Sequence, residues 1–494
     1  MYPIATPAAA VLYLGTMVAS HPMWLLRPLV LAIAIGLVLI IVLTVLLRDK
    51  HRAGLAAWAL LVGLIANDLR ASALLFVVAA AVITIGIPLR GRPWARGAAV
   101  SGALTVFGIV LIAGATLRAL QLGTLQASIA EIAFDLDERP VVAAPTTRAP
   151  DIFVLLLDAY PGNEAAQQEP SFDADAFSDE LRARGFDVAQ RPRSNYLTTR
   201  LSLPSMLNAS YLDSLPGLAP TTHAEDSREL RLATDQSSVL ARLRTDGFET
   251  VAITSGFSEI GPYRVDRLVA PPQVNELEWA ILNGTSAGWL LSHLAPTYVA
   301  DDVRARVTST LEAAADIAME PHDRPRFVLA HVPAPHAPWI ATAAGTRRPD
   351  SVDAPFGGPQ MPAAAVEQRR RAYFDYASWV GSQALATVDR IMAASDRPPV
   401  VVVTSDHGPD FDFSDSDPLA YDLNDRTSNF IAASIPGQRD VLPDDLTLVN
   451  LLPFVLDASI GWDLPIQPDR FFGWPAGGSI LDFVELDPAT WRPS

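Results

Sequence analysis

The sequence predicts a multi-pass α-helical membrane region over residues 1–121, followed by an α/β domain with a doubly wound, mostly parallel sheet. Three observations carry this reading. Apolar stretches at roughly 4–19, 25–47, 53–69, 71–89 and 98–120 crowd the first quarter of the 494-residue chain. Beyond residue 149, short β-branched runs alternate with longer amphipathic stretches. Charge divides at the same place. Residues 1–121 carry nine basic side chains (Arg27, Arg48, Lys50, Arg52, Arg70, Arg90, Arg92, Arg96, Arg118) against Asp49 and Asp68. The remainder holds 28 of the 37 basic and 52 of the 54 acidic residues.

Among the apolar stretches, Leu25–Leu47 is almost free of polar groups and long enough to cross ~30 Å of hydrocarbon. The first stretch is short and reads either as a span or as a tilted, amphipathic segment. No charged n-region precedes it and further spans follow, so a cleaved signal peptide is not expected. The 48–52 loop (Arg48, Lys50, Arg52) and the 90–96 loop (Arg90, Arg92, Arg96) are basic and belong on the cytoplasmic side. About five spans then put the N-terminus inside and everything after residue 121 outside the plasma membrane. Ionisable residues within the spans are few, Asp68 being the notable one. That fits an anchor that holds a site near lipid headgroups better than a transport bundle.

Residues 122–148 read as a juxtamembrane linker and 149–494 as an extracytoplasmic domain. Apolar runs at 151–157, 249–254, 326–332, 399–404 and 428–435 suit strands buried on both faces. Helical patterns fall at 174–184, 226–245, 301–318, 363–394 and 446–458. The acidity of this part excludes a nucleic-acid partner, which needs a positive footprint. The chain has no cysteine, which excludes disulfides, thiolate metal sites and a cysteine nucleophile.

Ligands of doubly wound sheets sit beyond the carboxyl ends of the strands. Run 151–157 ends in Asp158; run 326–332 carries His331 and leads to His336; run 399–404 leads to Ser405-Asp406-His407-Gly408. Carboxylates and imidazoles converging from three strand ends suit a zinc or manganese ion better than calcium. Singly, each has a plainer explanation: Asp158 as a helix cap, His331 as a core histidine closing a strand. Gly408 would let the chain turn away from a metal. Tyr160, Trp339 and Trp474 are open to two readings, cleft lining or packing.

From about 149 to 475 the chain resembles the alkaline phosphatase and sulfatase superfamily, most of all its membrane-anchored branch of lipoteichoic acid synthases and phosphoethanolamine transferases. The matching residues are Pro150-Asp151-Ile152 through Leu157-Asp158-Ala159-Tyr160, the Ser194–Asn208 segment, Phe327–His331 with Pro335-His336-Ala337-Pro338, and Thr404–Gly408. The resemblance implies a sulfatase-like catalytic domain in which Asp158, Thr199, Asp406 and His407 surround one divalent ion, manganese or zinc, with magnesium also compatible. It implies Thr199 as the nucleophile, placed by the Ser-Asn-Tyr-x-x-Thr-x-x-Ser-Leu frame in preference to Thr198. His336 would bind the transferring group or protonate the leaving oxygen. His331, Arg200 and Asn208 would join it in binding substrate, and Arg193 is a further candidate for phosphate oxygens.

The departures narrow the expectation. A formylglycine-forming sulfatase needs Cys or Ser followed by x-Pro-x-Arg, and Thr199-Arg200-Leu201-Ser202-Leu203 stands there instead. No histidine follows His407, which argues against a two-metal phosphatase and departs from phosphoethanolamine transferases. Lipoteichoic acid synthases use Glu where Asp158 stands. Asp410, Asp412, Asp415 and Asp417 could gather a second cation or form a solvated acidic loop. The expected activity is metal-dependent transfer of a phosphoglycerol- or phosphoethanolamine-type group through a phosphothreonine. The donor would be a membrane lipid and the acceptor a hydroxyl of an envelope glycan or lipid. The alternatives are a phosphodiesterase or phosphatase with water as acceptor, or a non-catalytic partner in envelope assembly.

Overall fold

A computed structural model describes residues 2–17, 23–121 (except 67 and 91), 149–215 (except 170–171), 218, 223–352, 363–394 and 397–491 (except 410 and 412). The expected linker, 122–148, lies outside the described residues. The chain divides into two compact units: Met1–Arg139 with Val274–Val299, and Pro140–Gln273 with Ala300–Ser494.

The first unit contains helices α1 (Tyr2–Met17), α2 (Met23–Leu47), α3 (Lys50–Ile65), α4 (Leu69–Gly86) and α5 (Gly97–Gln121), one for each apolar stretch. Two of them, Met23–Leu47 and Gly97–Leu120, are long and apolar enough to cross a membrane. At ~1.5 Å per residue the 25-residue α2 reaches past ~30 Å, whereas the 16-residue α1 and α3 reach about 24 Å. Small side chains let α3 pack closely: Ala53, Ala56 and Ala57 are fully buried against Leu43. Asp68 caps α4, accepting bonds from the amides of Arg70 (2.6 Å) and Ala71 (3.2 Å). Its place among apolar helices thus has a structural explanation. Leu31, Val38, Val42 and Val45 of α2 point outward.

The second unit is built on a seven-stranded sheet. Its strands are β1 (Ile152–Leu157), β2 (Asp187–Val188), β3 (Glu249–Ile253), β4 (Arg267–Val269), β5 (Arg326–Val332), β8 (Val400–Thr404) and β9 (Ile431–Ser434), in the order β2-β9-β8-β1-β5-β3-β4. All pairs from β8 to β4 are parallel, and β9 runs antiparallel to both β8 and β2. Strands β6 (Trp339–Ala341) and β7 (Arg347–Val352) form a separate pair, as do β10 (Phe471–Gly473) and β11 (Val484–Leu486).

The sandwich of helices around the sheet explains the unbroken apolar runs. Phe153, Leu155 and Leu157 face Val307, Leu311, Tyr373 and Val380 of the helices Tyr298–Met319 and Ala363–Ala394. Ile152, Val154 and Leu156 face the opposite layer, with Leu203, Leu207, Leu240 and Leu452. Every β1 residue is fully buried because successive side chains enter two different cores.

Two helical features depart from expectation. The 226–245 pattern is two helices, His223–Asp235 and Ser238–Thr245, because Ser237 caps the second by accepting from Leu240 N (3.1 Å). The Ser194–Asn208 motif contains a helix of its own, Thr199–Asn208.

Candidate metal centre

The parallel register brings the strand ends together. Leu156 of β1 lies beside both His331 of β5 and Thr404 of β8. Asp158, one step past β1, therefore emerges between His331 and the Ser405-Asp406-His407 turn. The strand continues one residue further through the Asp158 amide, which donates to Val332 O (2.9 Å). Ala159 then adopts a left-handed φ of 62°, a conformation costing an L-residue about 1–2 kcal/mol. In that conformation its amide donates to Asp406 Oδ1 (3.0 Å). Ser194 fixes the other side, its hydroxyl donating to the Asp406 carbonyl (2.6 Å).

Gly408 is needed for space rather than for its dihedral angles. A Cβ there would lie 2.0 Å from the Asp425 carbonyl oxygen and 2.7 Å from that of Ser428. The expected turn away from the site is, in the fold, a close approach to the 425–428 segment.

Asp158, Asp406 and His407 are fully buried and offer ligand atoms within 4.8 Å of one another. His407 Nδ1 donates to its neighbour's carbonyl, Gly408 O (2.9 Å), so Nε2 presents a lone pair. That lone pair lies 3.3 Å from Asp406 Oδ2, 3.7 Å from Asp158 Oδ1 and 3.4 Å from Thr199 Oγ1. Asp406 Oδ2 and Asp158 Oδ1 are buried and have no hydrogen-bond donor. Acceptors facing acceptors repel, and buried carboxylate oxygens are rarely left unsatisfied. A cation with bonds of about 2.0–2.2 Å to tetrahedral nitrogen and oxygen ligands separates them by about 3.3–3.5 Å, close to the spacing seen here. The residues fit a divalent ion, and an imidazole with carboxylates suits zinc or manganese.

The electrostatics agree with ligands held deprotonated. Burial alone would raise the Asp158 carboxyl, but the charge of His336, then the hydrogen bond and charge of His331, hold it below the usual carboxylate range. Burial and then the charge of Arg426 push the His407 imidazole down. Burial opposes protonation of His331 too, yet its bond to Asp158 and the two nearby carboxylates raise it. Both His331 nitrogens lie within hydrogen-bond reach of acceptors, Nε2 of Asp158 Oδ2 (3.3 Å) and Nδ1 of Ile260 O (2.9 Å).

Thr199 stands at the first position of its helix, nine-tenths buried, where the first amides lack intrahelical partners and the helix dipole favours negative charge. Thr198 is the N-cap residue, and its side chain makes no capping bond.

The sulfatase family model matches residues 188–461, more than half of the chain. The chain belongs to the sulfatase family. Within the matched span lie Thr199, His331, His336, Asp406 and His407; Asp158 precedes it. Solved structures similar to it include the C-terminal periplasmic domain of EcEptC from Escherichia coli, at 13% identity and a TM-score of 0.44. That alignment covers 72% of this chain and 97% of the other. The integral membrane protein lipooligosaccharide phosphoethanolamine transferase A from Neisseria meningitidis is 11% identical with a TM-score of 0.37, over 92% of this chain and 95% of the other. A putative sulfatase from Bacteroides thetaiotaomicron is 14% identical with a TM-score of 0.43, over 65% and 72%. No curated protein matches the chain.

The other residues singled out in this sulfatase-family sequence divide clearly. His336 is half-buried; its amide donates to the Asp158 carbonyl (3.1 Å) and its Nδ1 to Ala337 O (3.0 Å). Arg200 turns to Glu259 (3.3 Å) and Asp415 (3.2 Å). Arg193 pairs with Glu164 and donates to Asn424 Oδ1 (2.8 Å). Asn208 ends the Thr199 helix, some 13 Å along its axis from Thr199. Its amide donates to Pro204 O (2.8 Å) and Ala233 O (2.9 Å) and accepts from Ser238 N (3.0 Å), which ties three helices together rather than contacting the cluster. Tyr160, Trp339 and Trp474 are buried packing residues. Asp410 and Asp412 lie outside the described residues, and Asp415 is engaged by Arg200.

Sequence reasoning missed Arg426. This buried guanidinium donates to Leu197 O (2.8 Å) and Pro409 O (3.1 Å), stacks 3.7 Å from the Phe413 ring and lies 3.5 Å from His407 Nε2. It ties the threonine loop to the Asp-His-Gly turn. Its sequence context, a polar Asp-Leu-Asn-Asp-Arg-Thr segment, carries no signal for that role.

Proposed function

We propose that this chain is a membrane-anchored, metal-dependent phosphotransferase that forms a phosphothreonine at Thr199. The observation that supports this most is the buried threonine hydroxyl, at a helix N-terminus, facing a cluster of unsatisfied carboxylate oxygens and an imidazole lone pair. Asp158, Asp406, His407 and Thr199 would hold one manganese or zinc ion, with magnesium also compatible. The bound ion supplies positive charge that favours the alkoxide form of the hydroxyl and offsets charge on phosphoryl oxygens.

Thr199 Oγ1 bonds to phosphorus as the ester bond to the departing alcohol breaks. The threonine proton is lost to solvent, and the departing oxygen takes one from His336. His331 stays with Asp158 and fixes its carboxylate. In the second displacement an acceptor hydroxyl attacks the same phosphorus and gives up its proton to His336 as the bond to Thr199 Oγ1 breaks, and the departing Thr199 alkoxide regains a proton from solvent. The amides at the start of the Thr199 helix stabilise the phosphoryl oxygens in both steps.

The helices α1–α5 would form a multi-pass anchor with the N-terminus cytoplasmic and the catalytic unit outside the plasma membrane. An anchor of that size suits a lipid donor carrying a phosphoglycerol- or phosphoethanolamine-type headgroup, and an acceptor on an envelope glycan or lipid. The detergent-solubilised chain, incubated with manganese and membrane lipids, is expected to carry a phospho-adduct on the peptide spanning Ser194–Asn208. Thr199→Ala should lack it, and its mass names the transferred group. Release of the headgroup phosphate without loading of any lipid or glycan would assign water as acceptor and reject transfer. An adduct that persists in Thr199→Ala would reject the nucleophile.

A further inference from the structure

Residues 274–299 interrupt the sequence of the second unit between β4 and β5 and fold with the N-terminal helices instead. They form a hairpin of two short helices, Glu276–Gly284 and Ser286–Leu294. Asn275 and Glu278 close the first with a reciprocal capping box. The two helices meet at Gly288, where a Cβ would lie 1.4 Å from the Leu282 carbonyl oxygen, so the approach requires glycine.

One side of the hairpin is tied down. Leu277 is fully buried. Glu278 Oε1 accepts from Arg27 Nε of α2 (2.5 Å). Ser286 donates its amide to Ala66 O, just past the end of α3 (2.9 Å), and shares a hydrogen bond with the Ser72 hydroxyl in the first turn of α4 (2.6 Å). These attachment points lie at the start of α2, the end of α3 and the start of α4. That is the end of these helices away from the basic 48–52 loop.

The other side is exposed and uncharged. From Ser286 to Tyr298 there is no Asp, Glu, Lys or Arg, in a chain of net charge −17. Trp289 (51% exposed), Leu290 (40%), Leu294 (76%) and Tyr298 (40%) face outward, and the His293 ring lies tilted against Trp289 with centroids 4.3 Å apart. The first turns of α2, tied to the hairpin through Arg27, also expose Leu26 (68%) and Val30 (54%). Indole and phenol rings with leucines, and no net charge, favour the boundary between headgroups and acyl chains. An uncharged face this rich in large side chains offers nothing to attract a charged partner.

We propose that the Ser286–Tyr298 face is seated in the outer-leaflet interface, so that this insertion is a second membrane contact beyond the spanning helices. The inference rests on the reading that α2 crosses the bilayer, and the test separates the two. The chain lacks cysteine, so single-cysteine variants Leu290→Cys, Leu294→Cys, Val38→Cys on α2 and exposed Asp179→Cys can each carry one fluorophore in the full-length protein. The proteins are reconstituted in phosphatidylcholine–phosphatidylglycerol vesicles containing nitroxide lipids.

With the face buried about 5–10 Å into the interface, a nitroxide just below the headgroups should roughly halve emission at residues 290 and 294. Aqueous iodide should quench residue 179 and spare both hairpin positions. A deep nitroxide should quench residue 38. Quenching at 38 with iodide-accessible, nitroxide-insensitive probes at 290 and 294 would overturn the proposal and leave the spanning reading standing. No nitroxide quenching at any position would overturn both. Hairpin probes shielded from iodide yet untouched by nitroxide would place protein, such as a second copy of this chain, on the face and would equally overturn it.

Discussion

Asp406→Asn is expected to stabilise the metal-free protein while abolishing its response to metal. Replacing a buried, hydrogen-bonded carboxylate normally destabilises a fold. Here the ligand oxygens of Asp158 and Asp406 lie within 4.8 Å of each other. At an effective dielectric constant near 20, two unit charges at that separation repel by roughly 3 kcal/mol. Attraction between Asp406 and His331, when that imidazole is protonated, offsets part of this. The side-chain oxygen of the introduced asparagine can keep the bond from Ala159 N. Its new N–H then replaces Asp406 Oδ2, 3.3 Å from the His407 Nε2 lone pair, adding a hydrogen bond worth about 1 kcal/mol. The net gain is about 1–3 kcal/mol, or a few degrees in Tm for a domain of this size.

Manganese or zinc at a hundredfold excess over its Kd should stabilise the wild type by about 2.7 kcal/mol and the variant by almost nothing. The variant's lead in chelator should therefore close or reverse in metal. Thermal unfolding of the full-length chain in detergent, followed in both conditions, reads this directly. A variant that melts below wild type in chelator would refute the argument that these carboxylates oppose each other. A metal-induced rise equal to that of wild type would show that Asp406 is not a ligand.

Asn208→Ala should cost about 1–3 kcal/mol in stability, read from denaturant unfolding, yet leave turnover at its wild-type level once folded, because its amide holds backbone groups remote from Thr199. Thr199→Ser should retain the adduct on the 194–208 peptide and Thr199→Ala should lose it, with metal-induced stabilisation surviving in both through the three remaining ligands. The metal-free protein should be most stable near neutral pH. Asp158 and His407, both held below their ordinary values, contribute stability that is lost as pH falls. His331, held above its ordinary value, contributes stability that is lost as pH rises through its folded-state pKa. His331→Gln should flatten the alkaline limb of a Tm-against-pH profile and leave the acid limb in place.

What could be read from the sequence is what depends on short-range pattern. The buried strands β1, β3, β5, β8 and β9 were legible because burial on both faces demands unbroken apolar runs. Edge strands β2 and β4 were not: they are two and three residues long, and with one partner each they impose no such pattern. The break at Ser237 escaped periodicity because a single capping serine shapes it, braced by Asn208 from another helix through Ser238 N. The 276–294 hairpin escaped for a related reason. Its apolar residues are divided between a packed side and an exposed one, so they give no single stripe.

The same distinction governs the candidate centre. Asp158, His331, Asp406 and His407 follow or close strands whose parallel register is fixed by their own apolar runs, so their convergence was implicit once the sheet was. Arg426 reaches the centre from a five-residue helix, Leu423–Thr427, whose position follows from no pattern in its own sequence. It depends on the close approach that Gly408 permits to the Asp425 and Ser428 carbonyls. A side chain at 408 would push the 425–428 segment away and carry the Arg426 guanidinium with it. Gly408 therefore acts on the centre twice, by letting the turn that carries Asp406 and His407 pack and by bringing in the charge that, after burial, lowers the His407 imidazole further. In the sequence alone only the turn beside Gly408 was visible, since the second effect requires knowing which distant segment lies against it.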